Sequence, residues 1–115
     1  MKLFIRDEVV EDVESVKRFI AADNVEAANR FGPAVLAAWD VLLAFPYIGR
    51  PRTFERVAGV RSWHVPGFKN HLIFYRVKGE TVDVLAVLEG HRDLAAVLKK
   101  RWQPVKKVAS GVSRI

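Results

Sequence analysis

The fold is decided between Gly59 and Asp93, where the chain reads Gly-Val-Arg-Ser-Trp-His-Val-Pro-Gly-Phe-Lys-Asn-His-Leu-Ile-Phe-Tyr-Arg-Val-Lys-Gly-Glu-Thr-Val-Asp-Val-Leu-Ala-Val-Leu-Glu-Gly-His-Arg-Asp. Apolar runs rich in Val, Ile and aromatic residues, at Val60–Val65, Leu72–Val77 and Val82–Leu88, are separated by Pro66-Gly67 and by Lys78-Gly79-Glu80. Runs of this kind, punctuated by Pro and Gly, read as strands, and links this short force successive strands to pair antiparallel. The middle run is apolar at both alternating positions as far as Arg76. That pattern predicts a central strand with material packed on each of its faces.

Before this segment the pattern changes from strand to helix. Lys2 to Arg6 alternates polar and apolar and predicts a short first strand. Asp7 is placed to cap a following helix, with Glu8, Glu11 and Asp12 in its first turns, where carboxylates meet the positive end of the macrodipole. Val9, Val13, Val16 and Ile20, with Phe19 beside them, keep the spacing of one helical face as far as about Ala22. Asn24 is the cap expected for a second helix, whose apolar stripe is Ala28, Phe31, Val35, Trp39 and Leu42. Gly32-Pro33 lies inside that stripe. Proline removes a hydrogen bond and crowds the preceding turn at a cost of about 3 kcal/mol, so a kink or two shorter helices is expected there.

Phe45-Pro46-Tyr47-Ile48-Gly49-Arg50-Pro51 ends the helical region in a loop, in which Gly49 is free to take positive φ. Beyond the three strands, Asp93 is placed to cap a third helix that packs through Leu94, Val97, Leu98 and Trp102 and ends in Lys99-Lys100-Arg101 before Pro104. The order β-α-α-β-β-β-α defines an α+β domain: a small antiparallel sheet packed by an N-terminal helical hairpin, with the helices mainly on one face. Residues 1–103 are expected to form this single domain. Residues 104–115 are expected to form a basic C-terminal tail, disordered until something binds it.

The composition narrows the function classes. The chain has 115 residues, half of them hydrophobic and 28% charged, the balance of a folded domain with one core. No apolar run approaches the roughly 20 residues needed to cross a bilayer, so no membrane partner is expected and the cytoplasm is the expected compartment. With no cysteine there is neither disulfide nor thiolate nucleophile, and the spacing of His64, His71 and His91 matches no zinc pattern. Neither metal nor cofactor is expected.

The net charge of +6 is unevenly spread. Residues 49–78 hold 7 basic and 1 acidic side chains and residues 99–115 hold 6 and none, while the segments 1–48 and 79–98 are each net −3. Concentrated positive charge favours polyanions and acidic protein segments alike, and composition alone leaves a merely solvated surface equally open.

Arg61, Lys69, Arg76 and Arg92, with Trp63 and Phe68 interleaved, are candidates to converge on one surface. Cations mixed with rings suit a phosphate backbone with stacked bases, or an acidic peptide. His64 and His71, on strands joined by a tight turn, are candidates to face one another across it, and a histidine there has the right pKa range for a general base. Solvated histidines are the plainer reading of each taken singly. Arg92 with Asp93 also has a local reading, a helix cap and its ion pair. There is no Gly-rich phosphate loop, nucleophile elbow or carboxylate pair.

Four stretches taken in order carry a family resemblance. They are Phe45-Pro46-Tyr47-Ile48-Gly49-Arg50, Val60-Arg61, Leu72-Ile73-Phe74-Tyr75-Arg76-Val77 and Val87-Leu88-Glu89-Gly90-His91-Arg92-Asp93. They resemble the P-x-x-G-R, G-x-R, Y-L-I-F-Y-R-V and V-L-H-G-x-R-D elements of the RelE/ParE toxins of bacterial type II toxin–antitoxin modules, over about residues 3–102. Glu89 stands where that family commonly has histidine.

The resemblance implies a toxin held inactive by a cognate antitoxin whose C-terminal segment wraps around it, so that a toxin–antitoxin hetero-oligomer is expected. RelE-like members cut ribosome-bound mRNA with several lysines and arginines and a late tyrosine or histidine. Here the third-strand arginine position holds Leu72 and the late tyrosine position Leu98, while Arg92 matches the last arginine and His64 lies near a second-strand lysine.

A cyclic-phosphate-like transition state needs several such groups together. The resemblance therefore favours the ParE-like branch, which poisons DNA gyrase without a catalytic site. For binding to target or antitoxin it points to Arg50, Arg61, Trp63, Lys69, Arg76, Arg92, Lys99, Lys100, Arg101 and Trp102. The alternative, a ribosome-dependent endoribonuclease, would draw on His64, Arg61, Lys69 and Arg92.

Overall fold

The computed structural model describes residues 1–55, 57–90 and 94–101. The elements in chain order are β1 (Lys2–Ile5), α1 (Asp7–Ala21), α2 (Val25–Ala44), β2 (Arg50–Pro51), β3 (Arg61–Val65), β4 (Phe68–Lys78), β5 (Thr81–Glu89) and α3 (Leu94–Arg101). They form one five-stranded sheet in the order β1-β5-β4-β3-β2.

The three strands expected from Val60 onward pair antiparallel, β3 with β4 and β4 with β5, so β4 is central. Gly79, at φ 60°, supplies the left-handed residue that the β4–β5 turn needs. The wholly antiparallel expectation needs one correction, because β1 lies parallel to β5, with Lys2 opposite Thr81 and Ile5 opposite Val84. A tight turn dictates antiparallel pairing, but β1 reaches the sheet through two helices, and a connection of that length imposes no direction. The stretch read as a loop at Arg50-Pro51 also adds a two-residue edge strand beside β3.

Both faces of the sheet are covered. On one face Val9 of α1 and Phe31, Val35, Ala38 and Leu42 of α2 pack with Val65, Ile73, Tyr75, Val82, Val84 and Val87. On the other, Leu94 and Leu98 of α3 and Val57 and Val60 of the loop before β3 pack with Phe74, Leu85, Ala86 and Leu88. A register shift between Phe74 and Tyr75 sets one extra residue into β5, so that Leu85 and Ala86 both serve the second core although strict alternation would part them.

The helices depart from expectation in two places. Asp7 is the first residue of α1 and not its cap; Arg6 holds the cap position with extended backbone and no side-chain cap bond. Asn24 caps α2 as expected, its side chain accepting from the Ala27 N–H at 2.9 Å. The helix then runs undivided from Val25 to Ala44 with Pro33 inside it. The residue before a proline resists helical geometry through its Cβ, and Gly32 has none. The carbonyl that loses its partner, four residues earlier, belongs to Asn29, an exposed residue, where an unpaired carbonyl costs little. Burial of Phe31, Val35, Ala38 and Leu42 along one stripe offsets what remains of the proline's cost. Among the described residues no helix is long and apolar enough to cross a membrane. The tail expected at 104–115, the Asp93 cap and Trp102 lie outside the described residues.

Candidate partner-binding surface

The basic residues divide into those used inside the fold and those left at its surface. Arg61 points back at the loop that follows α2, donating to the Tyr47 carbonyl at 3.1 Å and the Gly49 carbonyl at 2.8 Å, with its guanidinium 5.1 Å from the centre of the Tyr47 ring. The same loop is gripped from below by Tyr75. Its hydroxyl donates to the Pro46 carbonyl at 2.8 Å and accepts from the Gly49 N–H at 2.9 Å. Burial pushes the Tyr75 hydroxyl pKa up, against smaller lowering effects of the Gly49 bond and the Arg61 charge. Gly49 is needed for space and not for a left-handed backbone: a Cβ there would lie 2.5 Å from the Tyr75 hydroxyl. The loop is thereby fixed with Phe45, Tyr47 and Ile48 facing solvent.

Arg76 is paired with Asp83, Nε to Oδ2 at 3.1 Å, and Arg6 approaches the same carboxylate at 2.8 and 2.9 Å. Arg101 is likewise taken up. It makes two hydrogen bonds to Asp12 and one to the Leu85 carbonyl at 3.1 Å, while Asp12 also accepts from the Val87 N–H at 3.0 Å. The hydrogen bond to Asp12 raises the Arg101 pKa, burial opposes it, and the charges of Asp12 and Glu8 add to the rise.

The expected convergence of Arg61, Lys69, Arg76 and Arg92 does not form among the described residues. Arg61 is directly opposite Tyr75, which faces the helical hairpin, and Arg76 as the next residue on β4 points to the other face. Lys69 is exposed where β4 bulges against β3, and Arg92 lies outside the described residues. The two histidines are also parted. His64 is opposite Leu72, on the α3 side, exposed with its ring 4.8 Å from that of Trp63. His71 lies on the helical-hairpin side, edge-on to Phe31 at 5.5 Å and Phe68 at 6.4 Å. No His-to-His contact across the β3–β4 turn exists to work as a base pair. Arg50, Lys99 and Lys100 are exposed, and Trp63 is half-buried against the first core. Among the described residues no group of three or more His, Asp or Glu side chains is arranged to hold a metal ion.

His71 predicts a pH effect. Burial lowers its pKa, and the nearby Glu89 charge raises it by less. The unfolded chain therefore takes up the proton at a higher pH than the folded one, so stability is full above about pH 6.5 and declines as pH falls toward the depressed folded value. The thermal midpoint should drop between pH 7.5 and 5.5, and His71→Asn should remove that portion of the drop. An equal drop in both proteins would rule out His71 as its source.

Sequence reading missed Asp12 and Asp83, both under 10% exposed. The signal was present in each case. Asp12 falls between Val9, Val13 and Val16 on the apolar side of α1, and Asp83 stands between Val82 and Val84 in a strand buried on both faces. A carboxylate in such a position needs a cation, but spacing does not say which one.

The chain is similar to a solved structure described as the chromosomal ParDE TA system from P. aeruginosa, with a TM-score of 0.64, covering 77% of this chain and 95% of that one at 19% identity. It is also 33% identical over 91 residues to Toxin ParE3 of Caulobacter vibrioides, covering 78% of this chain and 87% of that protein. Residues 3–94 match the family described as ParE toxin of type II toxin-antitoxin system, parDE. The chain belongs to that family and is the toxin component of a type II toxin–antitoxin system, with an antitoxin as its partner.

Proposed function

We propose that this toxin acts on DNA gyrase as a poison that binds without catalysing a reaction of its own. The observation that carries the reading is the fate of the arginines. Arg61, Arg76 and Arg101 are spent on a loop, a buried aspartate and a second buried aspartate, and the first two point to opposite faces of the sheet. A phosphate-cleaving centre needs donors converging on one oxygen, held ready where charge develops. Membership in the ParE family supports the same reading.

The exposed Phe45, Tyr47 and Ile48, with exposed Arg50 beside them, are the described surface best prepared for a protein target, because the loop that carries them is already ordered. Purified toxin is expected to inhibit supercoiling and to accumulate cleaved DNA with gyrase, while ribosome-bound mRNA stays intact. Phe45→Ala with Ile48→Ser should weaken inhibition at least tenfold. Cleavage of message only in the presence of ribosomes, lost with His64→Ala, would replace this reading by the endoribonuclease.

A further inference from the structure

The face of the sheet on which α3 lies is only partly roofed. Leu94 and Leu98 pack with Phe74, Leu85, Ala86 and Leu88, toward one end of the strands. Toward the other end, two rows of residues cross β1, β5 and β4 outside that core. Lys2, Thr81 and Lys78 stand opposite one another in the first row, and Phe4, Asp83 and Arg76 in the second. Alternation fixes the side on which they emerge, because their neighbours Leu3, Ile5, Val77, Val82 and Val84 all pack into the core beneath the helical hairpin.

The second row is ordered around one carboxylate. Asp83 accepts from Arg6 at 2.8 and 2.9 Å and from Arg76 at 3.1 Å, so a single negative charge holds two guanidiniums in place. The Arg6 guanidinium lies 5.3 Å from the centre of the Phe4 ring, which is 51% exposed. Lys2 and Lys78, both exposed, stand two residues away along their strands, a step of about 7 Å. With Glu80 of the β4–β5 turn included, the strip sets these four cations against two carboxylates.

Cations around an exposed ring on an open sheet face suit a single-stranded nucleic acid, whose phosphates meet the cations while a base stacks on the ring or on a guanidinium plane. A duplex keeps its bases stacked on one another, and an acidic peptide draws on the cations alone. We propose that the strip formed by Lys2, Phe4, Arg6, Arg76 and Lys78 binds single-stranded nucleic acid without sequence preference. Leu72, opposite His64, is four residues from Arg76 along β4, about 13 Å away. The strip is therefore separate from the histidine on which the endoribonuclease alternative would draw, and its binding depends on neither gyrase nor an antitoxin.

The test is fluorescence anisotropy of a labelled oligodeoxythymidine of about 15 nucleotides, titrated with the full-length free toxin in the absence of gyrase and ribosomes. With three or four phosphates engaged, log K should fall against log salt with a slope of about −2 to −3. Lys2→Glu and Lys78→Glu should each weaken binding by about tenfold or more, and Lys2→Gln and Lys78→Gln by less. Arg30→Glu makes the same charge change at an exposed position on α2 and should weaken binding by less than about threefold. Phe4→Ala should cost about fivefold or more at an unchanged salt slope, and Phe4→Tyr should bind like the parent. Thermal midpoints should stay at the parent value throughout, since Lys2, Phe4, Arg30 and Lys78 are all exposed. The proposal is overturned if the oligonucleotide does not bind at about 50 mM salt, or if Phe4→Ala binds like the parent. It is also overturned if Arg30→Glu costs as much as Lys78→Glu, since the attraction would then be to the overall charge of the chain. Tighter binding of the duplex, or of a glutamate-rich peptide, would overturn it too and assign the strip to that partner.

Discussion

Asp12→Ala is expected to lower the stability of the free toxin by about 3 kcal/mol, because breaking a buried pair leaves the remaining charge without its partner. Asp12 and Arg101 side chains are 8% and 20% exposed, so solvent does little to replace the lost contact. The substitution also strips the Val87 N–H of its acceptor at the edge of β5. For a domain of this size the thermal midpoint should fall by roughly 10 °C. Asp12→Asn keeps an acceptor while removing the charge, and should lose less than Asp12→Ala. A midpoint within a degree of the parent for Asp12→Ala would mean that the Asp12–Arg101 pair contributes nothing to holding α1 and α3 at the edge of β5.

Gly49→Ala is the second large effect. The added Cβ would lie 2.5 Å from the Tyr75 hydroxyl, 2.7 Å from the ring carbon Cε1 and 3.0 Å from the Ser62 carbonyl. Tyr75 is fully buried beneath the helical hairpin, so the ring has nowhere to move. Overpacking of this kind costs about 1–3 kcal/mol, and losing the hydroxyl's two hydrogen bonds adds about 1 kcal/mol or more. Denaturant midpoints of the single and double variants give the check. Removing the hydroxyl with Tyr75→Phe relieves the shortest of the three contacts, so Gly49→Ala should cost less in that background than alone. Equal costs in both backgrounds would show that the clash is taken up by the loop backbone. Either way the variant should loosen Phe45, Tyr47 and Ile48, and, on the proposed gyrase reading, inhibition should fall further than stability alone explains.

Both effects come from polar side chains that the hydrophobic pattern leaves without partners. Strand and helix period depend only on neighbours a few residues apart, which is why the three ribbons from Val60 onward, the cap at Asn24 and the packing stripe of α2 were legible. The motif at Phe45–Arg50 was legible as a motif, but its purpose was not. Its glycine answers to Tyr75, 26 residues away, and its carbonyls answer to Arg61. The basic residues misled for a related reason. Their number and clustering suggested one cationic face, yet alternation along β4 sends Arg76 away from Arg61, and two carboxylates hidden among valines capture Arg76 and Arg101.

Taken alone, the order of residues determined the types of all the elements but the edge strand β2, the antiparallel core of the sheet and the family, since each is written in local period, turn chemistry and short motifs. The tertiary structure decided the parallel seat of β1, the sharing of Leu85 and Ala86 in one core, and the choice of cation for Asp12 and Asp83. Those are contacts between segments up to 89 residues apart. Their geometry is set by how helices and sheet close on one another, and no spacing along the chain encodes it.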